Sequence, residues 1–358
     1  MRGLYVHIPF CRSKCPYCAF YSIDGFTGQL AGEYTNALIR DFESIENKDF
    51  DTLYIGGGTP SMLPYKDLER LLKALPGNGA EEFTFEMNPD SADEDTLRML
   101  GDHGVNRISL GCQSTDNEVL KLLGRVHDRD DIFKAVDMVR SLTSKADLNL
   151  DIIYDIPSVP QGIISTSLND ITSMEPEHIS AYSYSFDTGH LQNLPGWETE
   201  EQYLATKSFL LDKGYEKYEI SNFAKHGHRS LHNINYWNLG DFCGIGASAW
   251  SLHNKADRRV HSGRQESVED YINDPLNFGE VSTTEGTDLP KENVIFGLRM
   301  LDGVNIAEIT ERWGDFDGLF KQRIDELIKE ELLQWKEENL AVTEKGELLL
   351  DSVLERLW

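Results

Sequence analysis

Short apolar and β-branched runs alternate along the first half of the chain with segments whose apolar positions recur every three or four residues. Six runs read as strands: 4–8, 52–55, 83–87, 107–110, 148–154 and 178–184. Their starts lie 24 to 48 residues apart, the spacing of β-α-β units. Between them Leu30, Tyr34, Leu38 and Phe42 fall at four-residue steps, and Leu68, Leu71, Leu72 and Leu75 follow the same helical rule. Residues 130–142 and 163–174 read as two further helices. Strands joined through helices run parallel, and a parallel sheet is covered by those helices. The pattern predicts an α/β fold, either an open doubly wound sheet or a full or partial (β/α) barrel. Both collect ligands at the carboxyl ends of their strands.

Residues 186–285 are less periodic and hold an acidic patch (Glu198, Glu200, Glu201), a His-rich stretch and a Gly-rich stretch. The last seventy or so residues read differently. Phe316, Leu319, Phe320, Ile324, Leu327 and Ile328 mark an amphipathic helix. Residues 332–343 read as a hairpin turning near Glu337-Glu338-Asn339, and 348–357 as a closing helix. Helix, hairpin, helix is a winged-helix outline. The expected organisation is a core over 1–225, a connecting region over 226–285 and a carboxy-terminal winged-helix-like α+β module over 286–358.

Composition narrows the function. Asp plus Glu total 61 against 34 Lys plus Arg, a net charge of −27. Phosphate-backbone binding needs a basic face, so no nucleic-acid partner is expected. From Asp288 onward 17 acidic residues meet nine basic ones, which removes the usual DNA-reading role of a winged helix. No apolar run approaches a membrane span and the amino terminus lacks a signal-like stretch, so a cytoplasmic protein without stable membrane insertion is expected. Five cysteines, an odd count with three inside eight residues, argue against a disulfide framework.

Those three, Cys11, Cys15 and Cys18, follow the first strand with the spacing C-x3-C-x2-C. Three thiolates on one loop suit a four-iron cluster with one iron left for a non-protein ligand. S-adenosylmethionine can chelate that iron through its amino and carboxylate groups. A structural zinc site is the competing reading, but zinc sites pair two such halves and Cys112 and Cys243 stand alone. His7 is a poor iron ligand in a strand, and Cys112 reads as a small buried hydrophobe. Other polar residues also gather at strand ends. Gly56-Gly57-Gly58-Thr59-Pro60 follows the second strand, where missing side chains let a backbone approach a ligand. Glu86 ends the third, Gln113 follows the fourth, and Asp151 lies within the fifth. A charge in an apolar strand needs a partner, and Arg125 is the obvious candidate.

The stretch Tyr5-Val6-His7-Ile8-Pro9-Phe10-Cys11-Arg12-Ser13-Lys14-Cys15-Pro16-Tyr17-Cys18 resembles the signature of radical S-adenosylmethionine proteins. More narrowly, the chain resembles the family of the oxygen-independent coproporphyrinogen III oxidase (HemN) and its HemW heme-chaperone relatives, over most of its length. The resemblance implies a partial (β/α)6 TIM-type barrel and a 4Fe–4S cluster on Cys11, Cys15 and Cys18. It implies cofactor contacts from Tyr5, Tyr17, Gly57, Gly58, Thr59 and Glu86, and a second S-adenosylmethionine near Gln113, Arg125 and Asp151 in the decarboxylating members. Two features favour the HemW side. The decarboxylase's fourth cysteine is replaced by Phe20, and His232-Asn233-Ile234-Asn235-Tyr236-Trp237 matches the HNxxYW motif, with Tyr218–Ala224 upstream also HemW-like. A histidine beside aromatic rings suits a porphyrin, which makes His232 the candidate heme ligand. His190, His226, His228 and His253 are weaker alternatives. Departures are Asp155 for a usual Gly, Trp250 for a usual His, and Asp187-Thr188-Gly189-His190 for a usual Glu-Pro-Gly-Thr. The expected function is heme delivery to acceptor proteins with a reductant as electron donor. The alternative is oxidative decarboxylation of coproporphyrinogen III propionates.

Overall fold

The computed structural model describes residues 1–184, 199–314 and 317–358. Six parallel strands, β1 (Arg2–Ile8), β2 (Thr52–Gly57), β3 (Glu82–Met87), β4 (Arg107–Gln113), β5 (Asp147–Tyr154) and β6 (His178–Ser183), lie side by side in chain order. Helices Gly28–Ser44, Tyr65–Ala74, Glu94–Asp102, Arg129–Leu142 and Gln161–Ser173 fall between them. Crossovers of one hand in a sheet that never reverses direction put every helix on the same face. This is the wall of an open barrel and not a doubly wound sheet.

Each strand from β3 to β6 alternates in character. Phe83, Phe85 and Met87, Ile108, Leu110 and Cys112, Leu148, Leu150 and Ile152, and Ile179 and Ala181 are buried in the main hydrophobic core. The intervening residues, Thr84 and Glu86, Arg107 and Ser109, Asn149 and Asp151, His178 and Ser180, face the concave side and line one cavity. Strand pairing aligns Ser109 with Asn149 and Asn149 with His178, so like phases sit in rows across the sheet.

The sheet does not close. Beyond β6 come β8 (Asn222–Ala224) and β7 (Glu216–Lys217). Beyond β1 come β9 (Asp241–Ile245), β10 (Trp250–Asn254), β11 (Arg258–Arg264) and β12 (Phe278–Glu285). The segment expected as a connector over 226–285 thus supplies a third of one twelve-stranded sheet. Its last strand, β12, escapes a hydrophobic reading because it is exposed along nearly its whole length.

The carboxy-terminal module has, in chain order, helix Asp288–Gly297, strand β13 (Val304–Asn305), helices Ile306–Trp313 and Asp317–Lys329, strands β14 (Leu333–Lys336) and β15 (Asn339–Val342), and helices Glu344–Leu348 and Leu350–Leu357. Phe320, Ile324 and Leu327 pack with Leu333, Leu340 and Val353 in a core of its own. The hairpin turns at Glu337, whose φ is 54°. Phe316 lies outside the described residues, as does the side chain of Leu319. The module is fastened to the main sheet by Glu347, which accepts from Lys217 Nζ at 2.8 Å, from Lys207 Nζ at 3.1 Å and from the Tyr203 hydroxyl.

Candidate functional site

The cysteine loop hangs from the carboxyl end of β1. It doubles back on itself: Ile23 N donates to Pro9 O at 2.7 Å and Cys11 N to Ile23 O at 2.9 Å. Thr27 caps the helix that follows, its side chain accepting from Leu30 N at 3.2 Å. Cys18 N donates to Cys15 O at 3.0 Å, a tight turn that sets the last two thiols on one side.

The glycine turn after β2 docks against this loop. Gly58 N donates to Ile8 O and Thr59 N to Phe10 O, both at 2.8 Å. A Cβ on Gly58 would lie 2.8 Å from the Pro9 carbonyl carbon, and one on Gly57, at φ 110°, would lie 2.4 Å from the His7 ring. Much of the room these glycines leave is taken by the protein's own cysteine loop and not by a ligand. Gly57→Ala combines a left-handed backbone with a ring clash and should cost about 3 kcal/mol. Chemical denaturation of the cluster-free protein measures it.

The thiols, the glycine turn and the polar face of β3–β6 surround a single cavity of about 410 Å³. Cys11, Cys15, Cys18, Tyr17, Gly57, Gly58, Thr59, Glu86, Gln113, Arg125 and Asp151 all line it. Tyr5 does not; its hydroxyl donates to His7 Nδ1 at 2.9 Å, while His7 Nε2 donates to Tyr21 O. Burial holds His7 neutral, lowered to about 4. Cys112 is wholly buried, on the helix side of β4.

Two carboxylates, Glu86 and Asp151, line the cavity together. Glu86 accepts from Gly57 N at 3.0 Å and from the Tyr54 hydroxyl. Burial pushes it up to about 7, with the Asp151 charge adding to the effect. Asp151 is pushed up to about 6 by burial, against the pull of Asn149 and Ser180. Arg125 is not its direct partner. Asp151 accepts from Asn149 Nδ2 at 2.8 Å and Ser109 Oγ at 3.5 Å. Arg125 turns instead to Cys15 Sγ at 3.4 Å, Asn88 Oδ1 at 2.6 Å and Gly111 O at 2.8 Å. Asn88 also donates to Thr59 Oγ1 at 2.9 Å, and Thr59 Oγ1 to Cys11 Sγ at 3.6 Å. One polar chain thus ties Cys11 to Cys15. Asn88 was legible only as a strand-end residue; its signal was its place between Glu86 and Pro89. Gln113 reaches the cavity from a left-handed conformation, φ 70°, where the β4–β5 register slips.

His232 sits apart from these groups. It is fully buried, lowered to about 3 by that burial, and both ring nitrogens are engaged: Nδ1 with Thr52 Oγ1 and Nε2 with the Tyr236 hydroxyl, each at 2.8 Å. As placed, it offers iron no free nitrogen. His228 is held by Asp147 at 2.9 Å, His226 is exposed, and His253 is half-buried. His190 lies outside the described residues, as do the neighbouring 187–189. Asp155 adopts φ 58°, a conformation that explains the usual glycine there, and Trp250 is exposed beside Gly263.

An open parallel barrel carrying three cysteines on its first loop defines a radical S-adenosylmethionine protein, and residues 5–161 match the Radical SAM superfamily. Residues 285–349 match the HemN C-terminal domain. The Bacillus subtilis protein named heme chaperone HemW is 32% identical over 99% of this chain and 98% of its own. The Escherichia coli protein of the same name is 30% identical over 99% and 97%. The chain belongs to the HemW family. Its fold matches that of the Escherichia coli radical SAM coproporphyrinogen III oxidase HemN with a TM-score of 0.84, at 23% identity over 99% of this chain and 89% of that one.

Membership implies a 4Fe–4S cluster and S-adenosylmethionine, and the residues fit both. Three thiols share one cavity mouth, yet among the described residues no three His, Cys, Asp or Glu side chains converge on a single ion. That spread suits a cubane, which offers each thiolate its own iron, better than one tetrahedral zinc. Burial raises the Cys11 and Cys18 thiols, so iron binding displaces their protons. Burial disfavours the charged form of both carboxylates, and a cationic ligand between them would restore it.

Proposed function

We propose that this protein is a cytoplasmic heme chaperone: it holds a 4Fe–4S cluster on Cys11, Cys15 and Cys18, binds S-adenosylmethionine and heme, and hands heme to acceptor proteins. The observation that carries this reading is identity of 30 to 32% over essentially the full chain with relatives that bear that name. The cluster, when bound, supplies an iron open to the amino and carboxylate groups of S-adenosylmethionine. Thr59, Gly57 and Gly58 shape the wall beside it, and Glu86 is aimed at the cofactor's cationic part. Tyr17 covers the cavity from the loop side. Phe20, 66% exposed at the rim, offers a flat apolar ring where a decarboxylase would carry a thiol.

The second reading, coproporphyrinogen decarboxylation, is favoured by Gln113, Arg125 and Asp151 all lining the same cavity. One experiment separates them. Anaerobically reconstituted protein is titrated with heme and then mixed with a heme-free acceptor; in parallel it receives coproporphyrinogen, S-adenosylmethionine and a reductant. Stable heme binding with transfer, and no turnover, is expected. Accumulation of protoporphyrinogen would overturn the chaperone reading.

A further inference from the structure

The HNxxYW helix, Leu231–Trp237, closes the floor of the barrel, and its contacts explain its sequence. Glu82 receives its first turn, accepting from Ser230 Oγ at 3.1 Å, Leu231 N at 2.9 Å and His232 N at 3.1 Å. Trp237 Nε1 donates to Glu219 at 3.1 Å, and Asn235 Nδ2 to Asp241 O at 3.0 Å. The backbone position of His232 is therefore fixed before its ring is considered.

The ring lies under β2. It bonds Thr52 and stacks on Tyr54, two residues further along the same face, with centroids 5.1 Å apart and planes tilted by 32°. The other side is closed by β1, where a Cβ on Gly3 would lie 3.0 Å from the imidazole. Tyr54 in turn gives its hydroxyl proton to Glu86. A Cβ on Gly56 would lie 2.7 Å from both the Tyr54 ring and the Glu86 carboxyl, so the column has no slack. From floor to cavity the order is Tyr236, His232, Tyr54, Glu86.

We propose that His232 is a positioning residue: by supporting the Tyr54 ring it holds the Glu86 carboxylate in place for the cationic cofactor, and it does not ligate heme iron. This rests on the reading of Glu86 as a cofactor contact. It assigns the motif histidine to S-adenosylmethionine binding and leaves heme to another part of the surface.

The test is a double-mutant cycle on the cluster-loaded protein with His232→Ala, Tyr54→Phe and the pair. S-adenosylmethionine affinity is measured by equilibrium dialysis, heme binding by the Soret band, and cluster content by iron and sulfide analysis. Each single variant should weaken S-adenosylmethionine about tenfold. The pair should lose little more than Tyr54→Phe alone, because both act through one carboxylate. The Soret band should survive in all three. Should His232→Ala fail to fold, His232→Gln, which keeps an amide against Thr52, replaces it and should recover most of the affinity. Loss of the Soret band with unchanged S-adenosylmethionine affinity would overturn the proposal, as would fully additive losses. A wild-type protein that binds no heme would sink the chaperone function while the affinity cycle still decides the role of His232.

Discussion

Cys15→Ala should abolish the broad visible absorption of the reconstituted cluster and leave the circular dichroism spectrum of the protein close to wild type. Cys15 sits in a loop, half-exposed at the cavity mouth, and is not part of the hydrophobic core. Its loss removes one of three thiolates, and two cannot hold a cubane against solvent. The loop itself is kept by the Cys11–Ile23 backbone pair and by the docked glycine turn, neither of which involves the Cys15 side chain. Iron and sulfide analysis after anaerobic reconstitution reads the result. A variant with full iron content would show that the ligand set is wrong. Arg125 loses the sulfur partner of Nη1 in the variant but keeps Asn88 and Gly111 on Nη2.

Glu347→Ala should be the most damaging single change to stability, about 3–5 kcal/mol. The carboxylate joins Lys217, Lys207 and Tyr203 across the boundary between the two modules, and the Lys217 side chain is 2% exposed. Burial alone would raise Glu347; Lys217 and its neighbours hold it below its ordinary value instead. Its folded state therefore favours the anion. The stabilisation is full above the ordinary glutamate range and is lost as pH falls through the depressed folded value. Removing the carboxylate strands a buried ammonium, which is what makes the single variant severe. Replacing the pair together, Glu347→Leu with Lys217→Met, removes both charges and should recover most of the loss. Denaturant unfolding monitored separately on the two modules checks this. A Glu347→Ala protein as stable as wild type would show that the contact is screened by water.

The six parallel strands were legible because each carries a β-branched or aromatic run that must be buried against helices. The second message in those runs was equally present but harder to see. Thr84 and Glu86, Asn149 and Asp151, and His178 and Ser180 mark a polar face at every other residue, and they disappear in a count of apolar residues. The cysteine loop and glycine turn were legible as local spacing. What no local pattern carries is pairing at a distance: Arg125 with Cys15 across 110 residues and His232 with Thr52 across 180. Hence the sequence pairs Arg125 with Asp151 and makes the motif histidine a candidate heme ligand. The strands β9–β12 were missed for a different reason: β12 is an exposed edge strand, and β9–β11 mix charged, glycine and histidine residues with few apolar ones, so they offer little hydrophobic signal.

The position of β1 has a consequence in time. The strand that carries the cysteine loop is made well before β9, yet it lies inside the sheet, with β2 on one side and β9 on the other. Residues 2–6 pair with 241–245, so one edge of β1 stays open until residues 241–245 have been made. Contacts of such sequence separation form late and slowly. The rigid mounting of the thiols therefore depends on a strand more than two hundred residues away, so a cluster bound there is held by the assembled sheet and not by the loop alone.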